Sequence, residues 1–583
     1  MKKIMNHPET IVEEMCKGIV LTNPELEFVK KYKIIRKKEI NKNKVSLISG
    51  GGSGHEPAHA GFVGKGMLDA AVCGDIFASP SQIQVYQAIK ETAGEQGTLL
   101  IIKNYSGDMM NFKNGAHLAE EDGIHVEYVK VDDDIAVKDS LYTVGRRGVA
   151  GTVLVHKIAG AAAEKGYDLK KVKAAAENAV KNVRSIGFAL SSCTVPAKGT
   201  PTFELKENEM EYGVGIHGEP GIRREEIQTA AELAKRMVHA LTEELNITEG
   251  DEVTVLINGF GSTPLQELYL LNYETVKELS AKKIRIYRTF AGNYMTSIDM
   301  LGASVTLMKM NAELKELLDC ESEAPAFRVR GPVPETILEE DKQNSVTEEK
   351  DDAEPDAKYS EVRNGTLTLG NIIYMVDAMS SCIIKNEVPF CELDAYAGDG
   401  DFGMSIAKGF RQLKKEWREL TTENIHSIGE FLTACSIVLM EYCGGASGPI
   451  WGSAFREAGK KTQGKTELTA LEFAKMMQAA VKGIQKTGEY SFGRGAVVGD
   501  KTLIDALAPC ADTWTKYAEE ENLEKLFTLA AQAAVQGAKN TEKIPARMGR
   551  AGTVGDRSIG YPDAGAYALG VIFTELKDCL IFG

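Results

Sequence analysis

The chain has 583 residues, 43% hydrophobic and 26% charged, and a net charge of −15. That length exceeds a single hydrophobic core and implies about three compact units. The acidic balance, with no dense Lys/Arg cluster, excludes a nucleic-acid or anionic-membrane surface as the expected partner.

The opening MKKIMNHPET lacks the apolar run of a signal peptide, and no stretch approaches the ~20 apolar residues of a membrane span. Ten cysteines are scattered without CxxC pairs. They read as reduced thiols of a cytoplasmic protein, not as a disulfide or zinc framework. Up to about residue 330 short apolar runs alternate with helical ones. Strands are expected at KVSLIS (44–49), LDAAVC (68–73), TLLIIK (98–103), HVEYVKV (125–131), SIGFAL (185–190), EVTVLIN (252–258), KIRIYR (283–288) and ASVTLMKM (303–310). Between them, GTVLVHKIAGAAAEKG and AAELAKRMVHALTEEL carry apolar residues at helical spacing. The alternation predicts an α/β region over 1–330, in two subdomains of about 1–185 and 186–330.

Residues 331–360 change character. Between Glu335 and Asp356 there are ten acidic residues against two lysines. Such a segment buries too little apolar surface to offset its ordering entropy, so it reads as a flexible, self-repelling linker. From about 361 to 583 long amphipathic runs follow one another and predict an all-helical domain of seven or eight helices with glycine-rich connections.

Several stretches carry chemistry. GGGSGHEP (50–57) follows a strand-like run, and such a turn offers backbone N–H groups to an oxygen-rich ligand while delivering His55. It is neither a Walker A loop nor GxGxxG, and a close-packed turn with an incidental histidine is the plainer alternative. KNYSGD places Lys103 and Asp108 at the carboxyl edge of the expected parallel sheet, where ligands gather, although Asp108 taken alone also fits a helix cap. GVGIHGEPG (213–221) is a tight turn whose flanking glycines leave the His217 ring accessible, with Glu219 placed to orient it. His7, His59, His117, His125, His156 and His239 have no comparable setting and read as ordinary histidines.

In the last domain ELDAYAGDGDFG (392–403) crowds Asp394, Asp399 and Asp401. Carboxylates so close repel unless a cation sits among them. A solvated turn is the alternative; EF-hand spacing is absent. Three glycine-rich connections, 444–455, 493–507 and 548–566, precede helical runs and suit a polyphosphate at helix N-termini, or simply close helix packing.

Taken together these residues resemble the single-chain, ATP-dependent dihydroxyacetone kinases. The blocks GGGSGHEPAHAGFVGKGMLDAAVCGDIFASP, KNYSGD, VGRRGVAGTVLVHKIAGAAAEKG, CTVPAKGTPTFEL, GVGIHGEPG, LDAYAGDGDFG, GGASGPIWG, GDKTLIDAL and MGRAGTVGDRS lie in order across nearly the whole chain. The resemblance implies an α/β amino-terminal region and a carboxy-terminal barrel of eight antiparallel helices. It implies His217 as the covalent histidine, with His55 and Asp108 as the other catalytic residues. Gly52, Ser53, Gly54, His55, Lys103 and Asp108 fall at the substrate, and Asp394, Asp399 and Asp401 at two Mg2+ ions. The nucleotide falls to Phe402, Gly403, Met404, Gly445, Ala446, Ser447, Gly495, Thr502, Leu503, Asp563 and Gly565. Two positions depart from the family: Phe402 stands where histidine or cysteine is usual, and the DPGA signature reads Asp563-Ala564-Gly565-Ala566.

The implied reaction is phosphoryl transfer from ATP, with Mg2+, to the terminal hydroxyl of a ketose held as a hemiaminal on His217. A homodimer is expected, without nucleic-acid or membrane partners. The alternatives are a kinase for another short ketose such as erythrulose, an enzyme cyclising FAD, transfer from a phosphoprotein, and a ketose-sensing regulator with a weakened nucleotide domain. The fused chain argues against the phosphoprotein route, which resembles separate subunits.

Overall fold

The computed structural model describes residues 2–137, 145–219, 221–338, 355–421, 425–519, 522–548, 552 and 555–583. Most of the acidic segment expected as a linker, together with parts of MGRAGTVGDRS and Pro220 of GVGIHGEPG, lies outside the described residues. The chain forms two compact units, 1–342 and 343–583. The first is α/β and the second helical.

The first unit holds two six-stranded sheets. One runs, in spatial order, Leu26–Val29, Ile34–Lys37, Ala70–Ile76, Ser46–Ser53, Thr98–Lys103 and Val126–Val131, with the last four strands parallel. Its central strands are buried on both faces, as the uninterrupted apolar runs of a parallel sheet require. Alternation decides which layer each residue joins. Ile48, Leu100 and Ile102 pack with Val85, Ile89 and Phe112 of the helices Gln82–Thr92 and Ser106–Glu121. Leu47, Leu99 and Ile101 pack on the opposite face with Val153, Leu154 and Ile158 of Thr152–Glu164.

The second sheet runs Arg285–Gly292, Glu252–Gly259, Gly302–Lys309, Val183–Ala189, Glu209–Tyr212 and Arg223–Glu226, and only its first pair is parallel. All eight expected strands are present within a few residues of their expected bounds. The four short strands at Leu26–Val29, Ile34–Lys37, Glu209–Tyr212 and Arg223–Glu226 carry too few residues for a periodic signal and were not anticipated.

The described residues of the second unit contain ten α-helices. Two are short, Glu387–Asp394 and Trp417–Leu420; the other eight have 14 to 23 residues. Those eight pack each on the next, and the last, Ala564–Cys579, returns to the first, Leu369–Lys385. Reciprocal capping boxes start three of them, at Thr368/Asn371, Ser427/Glu430 and Thr469/Glu472. An apolar core that includes Phe410, Phe431, Trp514 and Phe527 fills the space between the helices. Strand pairing persists here only as two-residue fragments, such as Leu367–Thr368 on Glu467–Leu468. No described helix is long and apolar enough to cross a membrane, and all ten cysteines are free thiols.

Candidate active site

The histidine-bearing site is built at the carboxyl edge of the first sheet. Ser46–Ser53 and Thr98–Lys103 are adjacent parallel strands, so the glycine turn and Lys103 emerge at the same edge. Asp108 lies buried in the first turn of Ser106–Glu121, with an oxygen 3.5 Å from Lys103 Nζ. The two are buried together, which offsets the cost of burying either charge alone.

A loop from the second sheet fastens the glycine turn. Thr296 N–H donates to the His55 carbonyl at 3.1 Å and Ile298 N–H to the Gly54 carbonyl at 2.8 Å. His55 Nδ1–H in turn donates to the Thr296 carbonyl at 2.8 Å, because a carbonyl can only accept. Neutral His55 therefore carries its lone pair on Nε2, and that atom faces His217 Nε2 at 3.2 Å.

His217 is more enclosed than its glycine-rich turn suggests. Its ring meets Tyr105, His55 and Phe77 edge-on, at centroid distances of 4.5, 4.7 and 5.2 Å. Burial, then the positive charges of Lys103 and Arg147, push its pKa down to about 3. It is a neutral imidazole at physiological pH, as a nucleophile must be. Glu219 does not orient the ring in the way expected. One carboxylate oxygen accepts the His217 backbone N–H at 2.9 Å, and the other accepts from Arg147 Nη1 at 3.2 Å. Arg147, almost wholly buried, also donates to Asp134 at 2.6 Å and to the Gly213 carbonyl at 2.9 Å. The turn is thus clamped from beneath by an Asp134–Arg147–Glu219 network.

Of the other candidates, Gly52 packs so tightly on Phe77 and Ala78 that a β-carbon would lie 2.6 Å from the Ala78 nitrogen. Ser53 Oγ–H donates to the Gly74 carbonyl at 2.7 Å, so its hydroxyl serves the main chain. His59 and His156, read as ordinary from sequence, are buried in this same region with ring centroids 5.3 Å apart. Burial and then Lys103 hold His59 well below the usual histidine range and bring His156 to about 3. Tyr105, Phe77 and Arg147 were likewise missed. Tyr105 sits one residue before the Ser106–Glu121 helix, and only the fold turns it toward His217.

In the helical unit the three aspartates converge: one carboxylate oxygen from each of Asp394, Asp399 and Asp401 lies within 4.8 Å of the others. Asp394 Oδ2 accepts from Gly400 N–H at 3.0 Å and from Phe402 N–H at 3.4 Å, which folds the loop around it. The set of hard oxygen donors and its mutual repulsion fit a divalent cation.

A cavity of about 200 Å³ adjoins them, lined also by Phe402, Gly445, Ala446, Ser447, Thr502, Leu503, Asp563 and Gly565. Helices Ser447–Lys461, Ile504–Tyr517 and Ala564–Cys579 all begin at this cavity, so the positive ends of their dipoles border it. Asp563 caps the last of them by accepting from Ala566 N–H at 2.8 Å. Burial, with the negative charges of Asp505 and Asp394, raises the Asp563 pKa to about 7.

Lys501 Nζ donates to the carbonyls of Ile544, Ser558 and Tyr561 at 3.2, 2.5 and 2.8 Å, fixing the segment that leads to Asp563. Three sequence candidates do not line the cavity. A β-carbon on Gly403 would lie 2.0 Å from the Glu387 carbonyl, so it is a packing glycine. Met404 points outward, and Gly495 packs on Gln485.

Comparison with known proteins adds to this geometry. The Dak1 domain family matches residues 17–326, and the DAK2 domain family residues 396–578. The dihydroxyacetone-binding subunit DhaK of a PTS-dependent dihydroxyacetone kinase from Listeria innocua is 50% identical over 314 residues, covering 54% of this chain and 95% of that subunit. An L-erythrulose 1-kinase from Mycolicibacterium smegmatis is 34% identical over 588 residues and covers 100% of both chains. The crystal structure of the dihydroxyacetone kinase from C. freundii in complex with AMP-PNP and Mg2+ superposes with a TM-score of 0.60, at 30% identity over 99% of each chain.

Proposed function

The chain belongs to the dihydroxyacetone kinase family, and on that premise we propose that it phosphorylates the terminal hydroxyl of dihydroxyacetone held as a hemiaminal on His217. ATP is the donor and Mg2+ the metal in this reading, which the AMP-PNP and Mg2+ of the C. freundii structure support.

The observation that carries the reading is the 3.2 Å approach of His55 Nε2 to His217 Nε2. With His55 Nδ1–H committed to Thr296, the hydrogen between the two rings sits on His217 Nε2. As that nitrogen bonds to the ketone carbon, its proton passes to His55 Nε2. His55 then hands it to the carbonyl oxygen, which becomes the hemiaminal hydroxyl. One N–C bond forms, the C=O π bond breaks, and no proton is left over. Glycerol has no carbonyl and is not captured.

Asp108 accepts the proton of the terminal hydroxyl, and Lys103 beside it binds the ketose oxygens. Asp394, Asp399 and Asp401 hold magnesium, which when bound neutralises the triphosphate and aligns its γ-phosphoryl group. The positive dipole ends of the helices that start at Ser447, Ile504 and Ala564 favour the triphosphate, and Thr502 and Gly565 border the same space. A homodimer is part of this reading, on the family resemblance.

A second reading, a kinase for erythrulose, is favoured by the full-length 34% identity to the L-erythrulose 1-kinase. ADP release with MgATP and a panel of dihydroxyacetone, erythrulose and glycerol separates the two. Turnover with dihydroxyacetone and none with glycerol is expected, together with an adduct mass on the peptide carrying His217. ADP release that ignores every ketose removes the kinase reading and leaves the regulator.

A further inference from the structure

Two histidines of the ketose pocket, His217 and His55, have roles in the proposed reaction; His59 has none, yet its surroundings fix it as closely. Ser49 Oγ–H donates to the Ile101 carbonyl at 2.7 Å, so toward His59 Nδ1, at 3.3 Å, the same oxygen can only accept. His59 is thereby set as the Nδ1–H tautomer with its lone pair on Nε2. That Nε2 is buried and has no hydrogen-bond partner among the described residues. A buried acceptor in a native fold is almost always satisfied, so one left open beside a reactive site needs a donor that arrives.

Gly51 shows where that atom points. A β-carbon built on Gly51, whose φ is +156°, would lie 2.8 Å from Lys103 Nζ, 3.4 Å from Asp108 Oδ2 and 3.7 Å from His59 Nε2. One small space is thus bordered by an ammonium, the carboxylate it pairs with and a fixed imidazole lone pair. Lys103 has three N–H donors, and Asp108 is the one side-chain acceptor it meets among the described residues.

We propose that His59 is a positioning residue of the ketose site, the second acceptor to which the Lys103 ammonium turns when a substrate hydroxyl takes its place at Asp108. Lys103 Nζ lies 3.5 Å from Asp108 Oδ2. A hydroxyl that gives its proton to Asp108 cancels the carboxylate charge and weakens its hold on Lys103, and a buried ammonium that loses one acceptor is stabilised by another. His59 Nε2, which borders the same space at Gly51, supplies it. The His156 ring meets that of His59 edge-on, with centroids 5.3 Å apart. The inference rests on the kinase reading for the roles of Lys103 and Asp108.

The test uses the full chain and two substitutions of different shape. His59→Asn keeps a donor to Ser49 but has no acceptor at the Nε2 position, whereas His59→Gln places an amide oxygen there. With dihydroxyacetone and MgATP, His59→Asn lowers kcat about tenfold while KM for the ketose changes less than about threefold, and His59→Gln recovers most of the loss. Equal kcat in His59→Asn and wild type, or equal damage in both variants, overturns the proposal. A variant that does not fold is bypassed by 15N-histidine NMR of the wild-type protein. There the His59 Nε2 signal moves toward that of a hydrogen-bonded acceptor when dihydroxyacetone is added, and an unmoved signal overturns the proposal equally. A wild-type chain that turns over no ketose removes the kinase reading and this inference with it, whereas an active wild type with an indifferent His59→Asn removes the inference alone.

Discussion

In the α/β unit one buried ammonium, Lys103, faces four imidazoles; in the helical unit three carboxylates face each other across less than 5 Å. The first arrangement is largely fixed by the fold. The His55 and His59 rings are fixed by Thr296 and Ser49, the His217 imidazole is neutral, and its turn is clamped by Arg147. The second is organised in its backbone, through Asp394 and the helix N-termini, and its three crowded carboxylates suit a divalent cation. Covalent capture needs a rigid, dry, uncharged nitrogen, whereas a metal–phosphate site needs an excess of oxygen that its ligand cancels.

The largest expected effect breaks the first half of that contrast. His217→Ala lowers ketose phosphorylation on the order of a thousandfold or more, since the small substrate loses the bond that holds it in place. Intact-mass spectra show no adduct, and the ring's neighbours retain the fold by circular dichroism. Next comes Asp401→Asn, which lowers turnover at fixed magnesium by about a hundredfold yet leaves the His217 adduct unchanged. Unaltered rates in that variant would take the aspartates out of the reaction.

Acid sharpens the comparison further, and its sign follows from burial. A histidine ordinarily titrates near 6.5, whereas His156 in the folded core titrates near 3. Between those values the unfolded chain binds a proton that the folded chain refuses. Folding stability therefore falls as pH drops below about 6.5 and goes on falling toward 3, by about 2 kcal/mol at pH 5 for this ring alone. Urea titrations of His156→Leu should show a shallower loss between pH 7 and 5 than wild type; parallel losses would mean that the ring is protonated in the fold. The smallest effect concerns the helical unit. Thr469→Ala removes the capping box of Ala470–Phe492 and costs about 1 kcal/mol. Unfolding followed by tryptophan emission reports that unit, since Trp417, Trp451 and Trp514 all lie in it. The His217 adduct should be unaffected.

Much of this was legible because the chemistry lies in short contiguous runs. Strand, glycines and histidine sit together in 44–57, lysine and aspartate in 103–108, and three aspartates in 394–401. What could not be read is what long-range contacts impose. His59 and His156 stand 97 positions apart and become neighbours only when Thr152–Glu164 packs against the first sheet. Glu219 lies two residues from His217, which suggested a ring partner; the Arg147 guanidinium claims it instead. Gly403 and Gly495 look like ligand glycines in sequence; in the structure neither lines the cavity, and each leaves no room for a β-carbon against Glu387 or Gln485.

The reciprocal bonds between His55 and Thr296 span 241 positions. A growing polypeptide that has reached the glycine turn, or even His217 itself, still lacks the carbonyl that decides which ring nitrogen of His55 is basic. Chemical competence therefore arrives with one of the last segments of the α/β unit to be made. Until that segment docks, an unfinished chain carries both histidines without the bond that settles which nitrogen of His55 can take up a proton.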